Sequence, residues 1–281
     1  MITSEIENIE VNVLLQAIYD RYGYDFRNYA RASIERRARM FAKNHGFNYI
    51  SEIIPAILRD EVLFELLIKE FSITVTELFR DPLSYKALKE KVFPILKTYP
   101  FIKIWHAGCA TGEEVYSMAI LLKEEGLYEK ATIYATDFND EALEIARHGI
   151  YPIDNMKDYV SNYIMAGGSE VLSSYYYAKH DSIIFDKTLI KNVMFANHNL
   201  VIDGVFGEMN LIMCKNVLIY FNKSLQDRVL NMFNESLIHG GFLCLGNKES
   251  IMFSEVQDKF DIVDIVEKIY KKKTFICIEQ I

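Results

Sequence analysis

The sequence is short of the residues that mark unusual protein classes. Five prolines and 13 glycines in 281 residues exclude collagen-like, proline-rich and low-complexity architectures. Four cysteines, Cys109, Cys214, Cys244 and Cys277, stand far apart with no CxxC pair, so the thiols read as buried and reduced rather than as disulfides or zinc ligands. The six histidines form no HxH or HxxxH pair, and no metal is expected. No apolar run reaches the roughly 18 residues of a membrane-spanning helix. The opening MITSEIENIE lacks the basic start and apolar stretch of a secretory leader. Positive charge is in deficit too: 31 Lys and Arg against 39 Asp and Glu give a net charge of −8, which argues against nucleic acid as a partner. A cytoplasmic monomer without membrane insertion is the expectation.

What is present is enough to build a core, with 51% hydrophobic and 25% charged residues. Up to about residue 97 the pattern is helical. A basic helix is expected through Tyr29–Lys43. Asp60 is placed to cap a helix whose buried stripe is Val62, Leu63, Leu66, Leu67 and Phe71. Asp81-Pro82 starts a further helix carrying Leu88 and Val92, which Pro94 kinks or ends. From Phe101 short apolar runs alternate with helical patterns. IKIWHA (102–107), TIYATD (132–137), NVMFAN (192–197), NLIMC (210–214) and GFLCLG (241–246) read as strands, and EKIYKKKTFICIEQ as strand-like. Helices are expected over Gly112–Lys123, from Asn139 to before Gly149, and through Leu225, Val229, Phe233 and Leu237 until Gly240-Gly241. The alternation implies a mainly parallel sheet covered on both faces, with a helical domain over 1–85 and an α/β domain over 86–281.

The first strand runs into Ala107-Gly108-Cys109-Ala110-Thr111-Gly112-Glu113-Glu114, a turn that lets a ligand approach the backbone. The second strand ends at Asp137, where a carboxylate can accept both ribose hydroxyls of a nucleoside. Glycines for tight packing and an aspartate for capping are the plainer alternative. The loop is not GxGxxG, and Glu113-Glu114 would meet a pyrophosphate with like charge. A nicotinamide oxidoreductase is therefore the weakest reading. Carboxylates here suit a cationic nucleoside, and S-adenosylmethionine carries a sulfonium and an α-ammonium.

The ordered motifs TVTELFRDP (74–82), WHAGCATGEEVYSMA (105–119), ATDFNDEALEIARHGIY (135–151), FANHNL (195–200), LIMCKNVLIYFNK (211–223) and GGFLCLG (240–246) resemble the CheR-type protein-glutamate O-methyltransferases. The resemblance spans roughly residues 10–270. It implies a Rossmann-like class I methyltransferase sheet, an all-helical N-terminal domain and a small inserted β subdomain over 149–199. It implies S-adenosylmethionine as cofactor, S-adenosylhomocysteine as product, and glutamate side chains on the cytoplasmic domain of chemoreceptors as acceptors. By the same resemblance Gly108 and Ala110 line the cofactor loop, Glu114 meets the methionine ammonium and Asp137 the ribose. Asn199 and Leu200 flank the adenine, with Lys215 and Asn216 nearby. Thr74, Thr76 and Arg80 reach the cofactor and acceptor, and Tyr220 sits beside the transferring methyl. Thr74, Leu78 and Lys215 depart from residues common in relatives, Lys215 keeping charge but losing the planar fork of arginine.

Taken alone, each of these residues has a structural reading: threonine caps, a surface ion pair for Arg80, asparagine turns, aromatic packing for Tyr220. The stretch holding Arg31, Arg36, Arg37, Arg39 and Lys43 against Glu35 is a basic island in an acidic chain. It is read as a docking face for a glutamate-rich receptor helix, against an ordinary solvated face. Two further readings remain: a carboxyl methyltransferase of a non-chemotactic protein, and a non-catalytic nucleoside-binding scaffold.

Overall fold

The computed structural model describes residues 2–72 and 76–274. The chain divides into two compact units, Met1–Ile73 with Ile219–Gln226, and Thr74–Leu218 with Asp227–Ile281.

The first unit holds helices α1 (Ile2–Tyr22), α2 (Arg31–Asn44), α3 (Ile53–Ile57) and α4 (Glu61–Phe71). Its core comes from Val11, Leu14 and Ile18 of α1, Ile34, Ala38 and Phe41 of α2, and the inner face of α4. Asp60 caps α4 as expected, its Oδ1 accepting the N–H groups of Val62 at 3.0 Å and Leu63 at 3.1 Å. The buried stripe differs from the expectation. Val62 and Leu66 are 67% and 44% exposed, and Phe64, Leu67, Ile68 and Phe71 turn inward. Both sets have helical spacing. The Phe64 ring, stacked on Tyr22 with centroids 3.5 Å apart, gives the second set the larger payload. Residues 219–226 join this unit along 28–30: the Ala30 N–H donates to the Tyr220 carbonyl at 2.6 Å, and the Asn222 N–H to the Asn28 carbonyl at 2.9 Å.

The second unit starts with α5 (Pro82–Ala87), a π-helical turn over Leu88–Val92, and α6 (Phe93–Leu96). The widened turn stands where Pro94 withholds its N–H from the helical ladder. There follow β1 (Ile102–Ala107), α7 (Glu113–Glu124), β2 (Ala131–Asp137), α8 (Asp140–His148), β3 (Ile150–Pro152), α9 (Met156–Met165), β4 (Tyr176–Lys179), β5 (Ser182–Phe185), β6 (Val193–Asn197), β7 (Met209–Cys214), α10 (Lys223–Ser236), β8 (Leu237–Leu245), β9 (Phe260–Asp264) and β10 (Ile269–Lys272). Two elements differ from the expectation. α10 stops at Ser236, so Leu237 opens β8 instead of closing the helix. β9 has no counterpart in the sequence reading. The part of the strand-like C-terminal stretch beyond Thr274, with Cys277, lies outside the described residues.

The main sheet has the order β6-β2-β1-β7-β8-β10-β9. β6, β2, β1, β7 and β8 are parallel, and β10 runs antiparallel to both β8 and β9. This is a class I methyltransferase sheet. The chain leaves β1 toward β2 and β6, then returns to β7 on the other side. That reversal opens a crevice beyond the carboxyl ends of β1 and β7, where such sheets hold ligands.

The insert is a separate sheet, β3-β5-β4, all antiparallel. Its β4–β5 hairpin turns at His180-Asp181. The side chain of Glu124 on α7 is fully buried and moors this region. It accepts the Tyr163 hydroxyl, the Tyr175 hydroxyl at 3.1 Å and the Ser169 N–H at 3.0 Å. No helix among the described residues is long and apolar enough to cross a membrane.

Candidate functional site

Backbone strain marks the crevice before any side chain is considered. Among the described residues seven non-glycine residues have positive φ, and Phe79, Asp81, Ala110 and Asn216 lie on the segments that meet at the ends of β1 and β7. Strain of this kind costs of order 1–3 kcal/mol per residue and collects where structure serves a ligand.

The turn after β1 is built on two glycines. A Cβ on Gly108 (φ +80°) would sit 2.7 Å from Val217, and one on Gly112 (φ +91°) 2.5 Å from the Ala146 side chain. The packing role considered for these glycines is therefore real, and it sets the path of the loop. The loop closes on Asp137, whose Oδ2 accepts the Ala110 N–H and whose Oδ1 accepts the Asn139 N–H, each at 2.9 Å. Burial pushes the Asp137 carboxyl up from its ordinary range, against the backbone N–H bonds that pull it down. Asn139, not Asp137, caps α8. A carboxylate accepts about four hydrogen bonds, so Asp137 keeps capacity for hydroxyl donors.

The two glutamates at the start of α7 differ in charge. Glu114 is mostly buried, its side chain 16% exposed, and this desolvation raises its pKa. The hydrogen bond from His106, at 2.7 Å, and the charges of Lys215 and Arg80 outweigh this and hold it below the usual range. Glu113 is 6% exposed and pushed up to about 7, chiefly by burial, against the Thr111 hydroxyl that donates to it at 2.7 Å. Only Glu114 is firmly anionic, so the charge argument made for the pair rests on Glu114. Glu113 also has a stability consequence. The unfolded carboxyl ionises near 4.5 and the folded one near 7, so stability falls as pH rises between them. Above pH 7 the full cost stands, at most about 3 kcal/mol. Glu113→Gln is expected to melt above the parent protein at pH 8, with the gap closing toward pH 5. A gap that does not change with pH in thermal scans would remove this account.

Beyond β7, Asn216 (φ +61°) is held by Glu249, whose Oε2 accepts the Asn216 N–H at 2.9 Å and the Gly246 N–H at 2.7 Å. The buried Asn216 Oδ1 has no hydrogen-bond partner among the described residues, which leaves an acceptor for a ligand. Lys215 is turned away from that role. Its Nζ donates to the Arg80 carbonyl at 2.6 Å, lies 3.7 Å from Asp81 and sits over the Tyr85 ring. It thereby clamps the strained turn carrying Arg80, which the Phe79 N–H also ties to Ser117 Oγ at 2.8 Å. Asn199 makes a turn, its Oδ1 accepting the Val201 N–H at 3.0 Å, beside the buried Leu200. Thr76 is half-buried in this unit, and Thr74 lies outside the described residues. Tyr220 belongs to the first unit. The structure places Gly108, Ala110, Glu114, Asp137 and Asn216 on the segments at the carboxyl ends of β1, β2 and β7. Sequence reasoning missed His106 and Glu249, which bond to Glu114 and Asn216, and local sequence carries no signal for either.

A partly buried ionised carboxylate for a cation, a backbone-fixed aspartate for a diol and an unpartnered amide oxygen fit S-adenosylmethionine. Together with the sheet they define a class I S-adenosylmethionine-dependent methyltransferase. Residues 74–269 match the family described as CheR methyltransferase, SAM binding domain, and residues 9–72 match CheR methyltransferase, all-alpha domain. The chain belongs to the CheR methyltransferase family. It is 48% identical over 265 residues to the Cher3 protein of Pseudomonas putida, covering 94% of this chain and 97% of that one. It is 28% identical over 260 residues to the chemotaxis protein methyltransferase of Borreliella burgdorferi, covering 86% and 88%. Chemotaxis protein methyltransferase 1 of Vibrio cholerae is 34% identical over 194 residues, covering 66% and 67%.

Proposed function

We propose that the chain methylates glutamate side chains on the cytoplasmic domain of chemoreceptors, giving methyl esters in sensory adaptation. The observation that supports this acceptor class is the likeness to the Borreliella burgdorferi chemotaxis protein methyltransferase along 260 residues. S-adenosylmethionine, when bound, supplies an electrophilic methyl on a sulfonium. A glutamate carboxylate, with an ordinary pKa of about 4.3, is already a nucleophile at neutral pH, so no general base is needed. The protein's task is alignment and exclusion of water, which in favourable cases contributes roughly 7–11 kcal/mol. In this reading Asp137 holds the ribose, Glu114 the α-ammonium and Asn216 the base end. Arg80 orients the acceptor carboxylate and Tyr220 helps place the methyl. Thr74, Thr76, Asn199 and Leu200 complete the cofactor contacts. Lys215 acts through the Arg80 turn.

The test is transfer of labelled methyl to receptor-bearing membranes. A receptor-sized band whose label is released as methanol by mild base supports the proposal. Label on a different protein moves the acceptor elsewhere, a reading that the P. putida relative, whose name Cher3 specifies no acceptor, keeps open. S-adenosylhomocysteine binding without any transfer would point to a scaffold.

The docking face on α2 is narrower than the basic island in the sequence. Arg31 bonds Glu35, Asn8 and Asn12, Arg37 bonds the Glu70 carbonyl, and Arg39 pairs with Glu7. Arg36 and Lys43 are exposed and make no ion pair among the described residues. Arg36→Glu with Lys43→Glu is therefore expected to lower the rate of receptor methylation several-fold at low salt, with unchanged S-adenosylhomocysteine affinity. Equal rates across a salt series would remove α2 from recognition.

A further inference from the structure

His106 lies in the middle of the sheet with no exposed surface. Its strand, β1, is flanked by β2 and β7, where it pairs in register with Ala135 and Met213. A histidine at such a place has no packing advantage over the apolar residues around it, and burying its ring nitrogens is costly unless they are bonded. One nitrogen is bonded: Nδ1 lies 2.7 Å from Glu114 Oε1. The other, Nε2, is buried with no hydrogen-bond partner among the described residues. With Glu114 ionised, the bonded nitrogen carries a proton, so the ring donates a hydrogen bond into the carboxylate that opens α7.

We infer that His106 is a positioning residue: its Nδ1–H fixes one oxygen of Glu114 so that the other is presented to the α-ammonium of the amino-acid arm. This rests on the proposed role of Glu114. The backbone alone leaves the Glu114 side chain free to rotate about its torsions, and a charge-assisted bond to a rigid strand removes that freedom before the ligand arrives. The bond also offsets the cost of keeping this partly buried carboxylate charged.

His106→Leu fills the site but donates nothing. His106→Asn keeps an N–H close to the position of Nδ1. Calorimetry is run with two probes, S-adenosylhomocysteine and 5′-methylthioadenosine, which has the nucleoside but no amino-acid arm. His106→Leu is expected to weaken S-adenosylhomocysteine roughly tenfold or more, to leave 5′-methylthioadenosine unchanged, and to be largely rescued by His106→Asn. Equal affinity for S-adenosylhomocysteine in parent and His106→Leu overturns the inference. So does a parallel loss for both probes, which would report general damage to the pocket, or a failure of asparagine to rescue. Glu114→Gln is the separate control. If it leaves S-adenosylhomocysteine binding intact, the role of Glu114 itself falls, whatever His106 does.

Discussion

If Arg80 orients the acceptor carboxylate as proposed, Arg80→Ala is expected to lower methyl transfer by roughly 10²- to 10³-fold while S-adenosylhomocysteine still binds, because it removes one pre-placed charged donor from that carboxylate. The structure spends effort on this residue. Phe79 and Asp81 on either side of it have positive φ. The buried Lys215 holds its carbonyl, and Ser117 holds the N–H of its neighbour. A turn so strained and so tied is costly to maintain for a surface ion pair, which contributes little to stability. The guanidinium reaches the site electrostatically, since its charge is among those that lower Glu114. Arg80→Lys keeps the charge but gives up the planar fork that grips a carboxylate on two oxygens. It should recover only part of the rate, with the deficit in kcat when receptor is saturating. Single-turnover transfer separates this from binding. Unchanged turnover in Arg80→Ala would end the assignment. Loss of S-adenosylhomocysteine binding in step with turnover would make Arg80 a cofactor contact only.

The parts of this molecule that were legible in sequence are those set by local pattern. β1, β2, β7, α7 and α8 lie within a residue or two of expectation, because short apolar runs and glycine stops determine them. The α4 stripe was misread because two stripes of helical spacing overlap, and only the stacking of Phe64 on Tyr22 chooses between them. β9 is a short, half-exposed edge strand without the continuous apolar run of a buried one. At the site, the Gly loop and Asp137 were visible because a turn and a strand end announce them. The pairs that make the site work were not. His106 with Glu114, Glu249 with Asn216, and Lys215 with Arg80 are each separated along the chain by at least eight residues and joined only by the fold. Lys215 was read from its neighbourhood in sequence as a cofactor contact, and its amine is engaged at the Arg80 turn.

If Asp137 holds the ribose as proposed, Asp137→Ala should cost the most in cofactor affinity, roughly 10²- to 10⁴-fold, from two charge-assisted hydrogen bonds at about 1.5–3 kcal/mol each in favourable geometry. The difficulty is that Asp137 also organises the protein. Removing the carboxylate leaves the Ala110 and Asn139 N–H groups without their acceptor, and Ala110 already has a strained φ of +48°. A loss of affinity alone therefore does not separate a ribose contact from a collapsed loop. A ligand lacking one hydroxyl does. Parent protein should prefer S-adenosylhomocysteine over its 2′-deoxy analogue by roughly tenfold or more, and Asp137→Ala should bind the two equally, which isolates the pairwise contact. If the mutant keeps the preference, the ribose is held elsewhere. Acid provides an independent check. Hydroxyl donors favour the ionised carboxylate, so affinity must fall as pH drops through the Asp137 pKa. Burial raises that pKa above the ordinary 3.8, so the weakening should begin at a higher pH than a solvent-exposed aspartate would give. In the alanine variant this acid limb should be absent, because the group that produced it is gone.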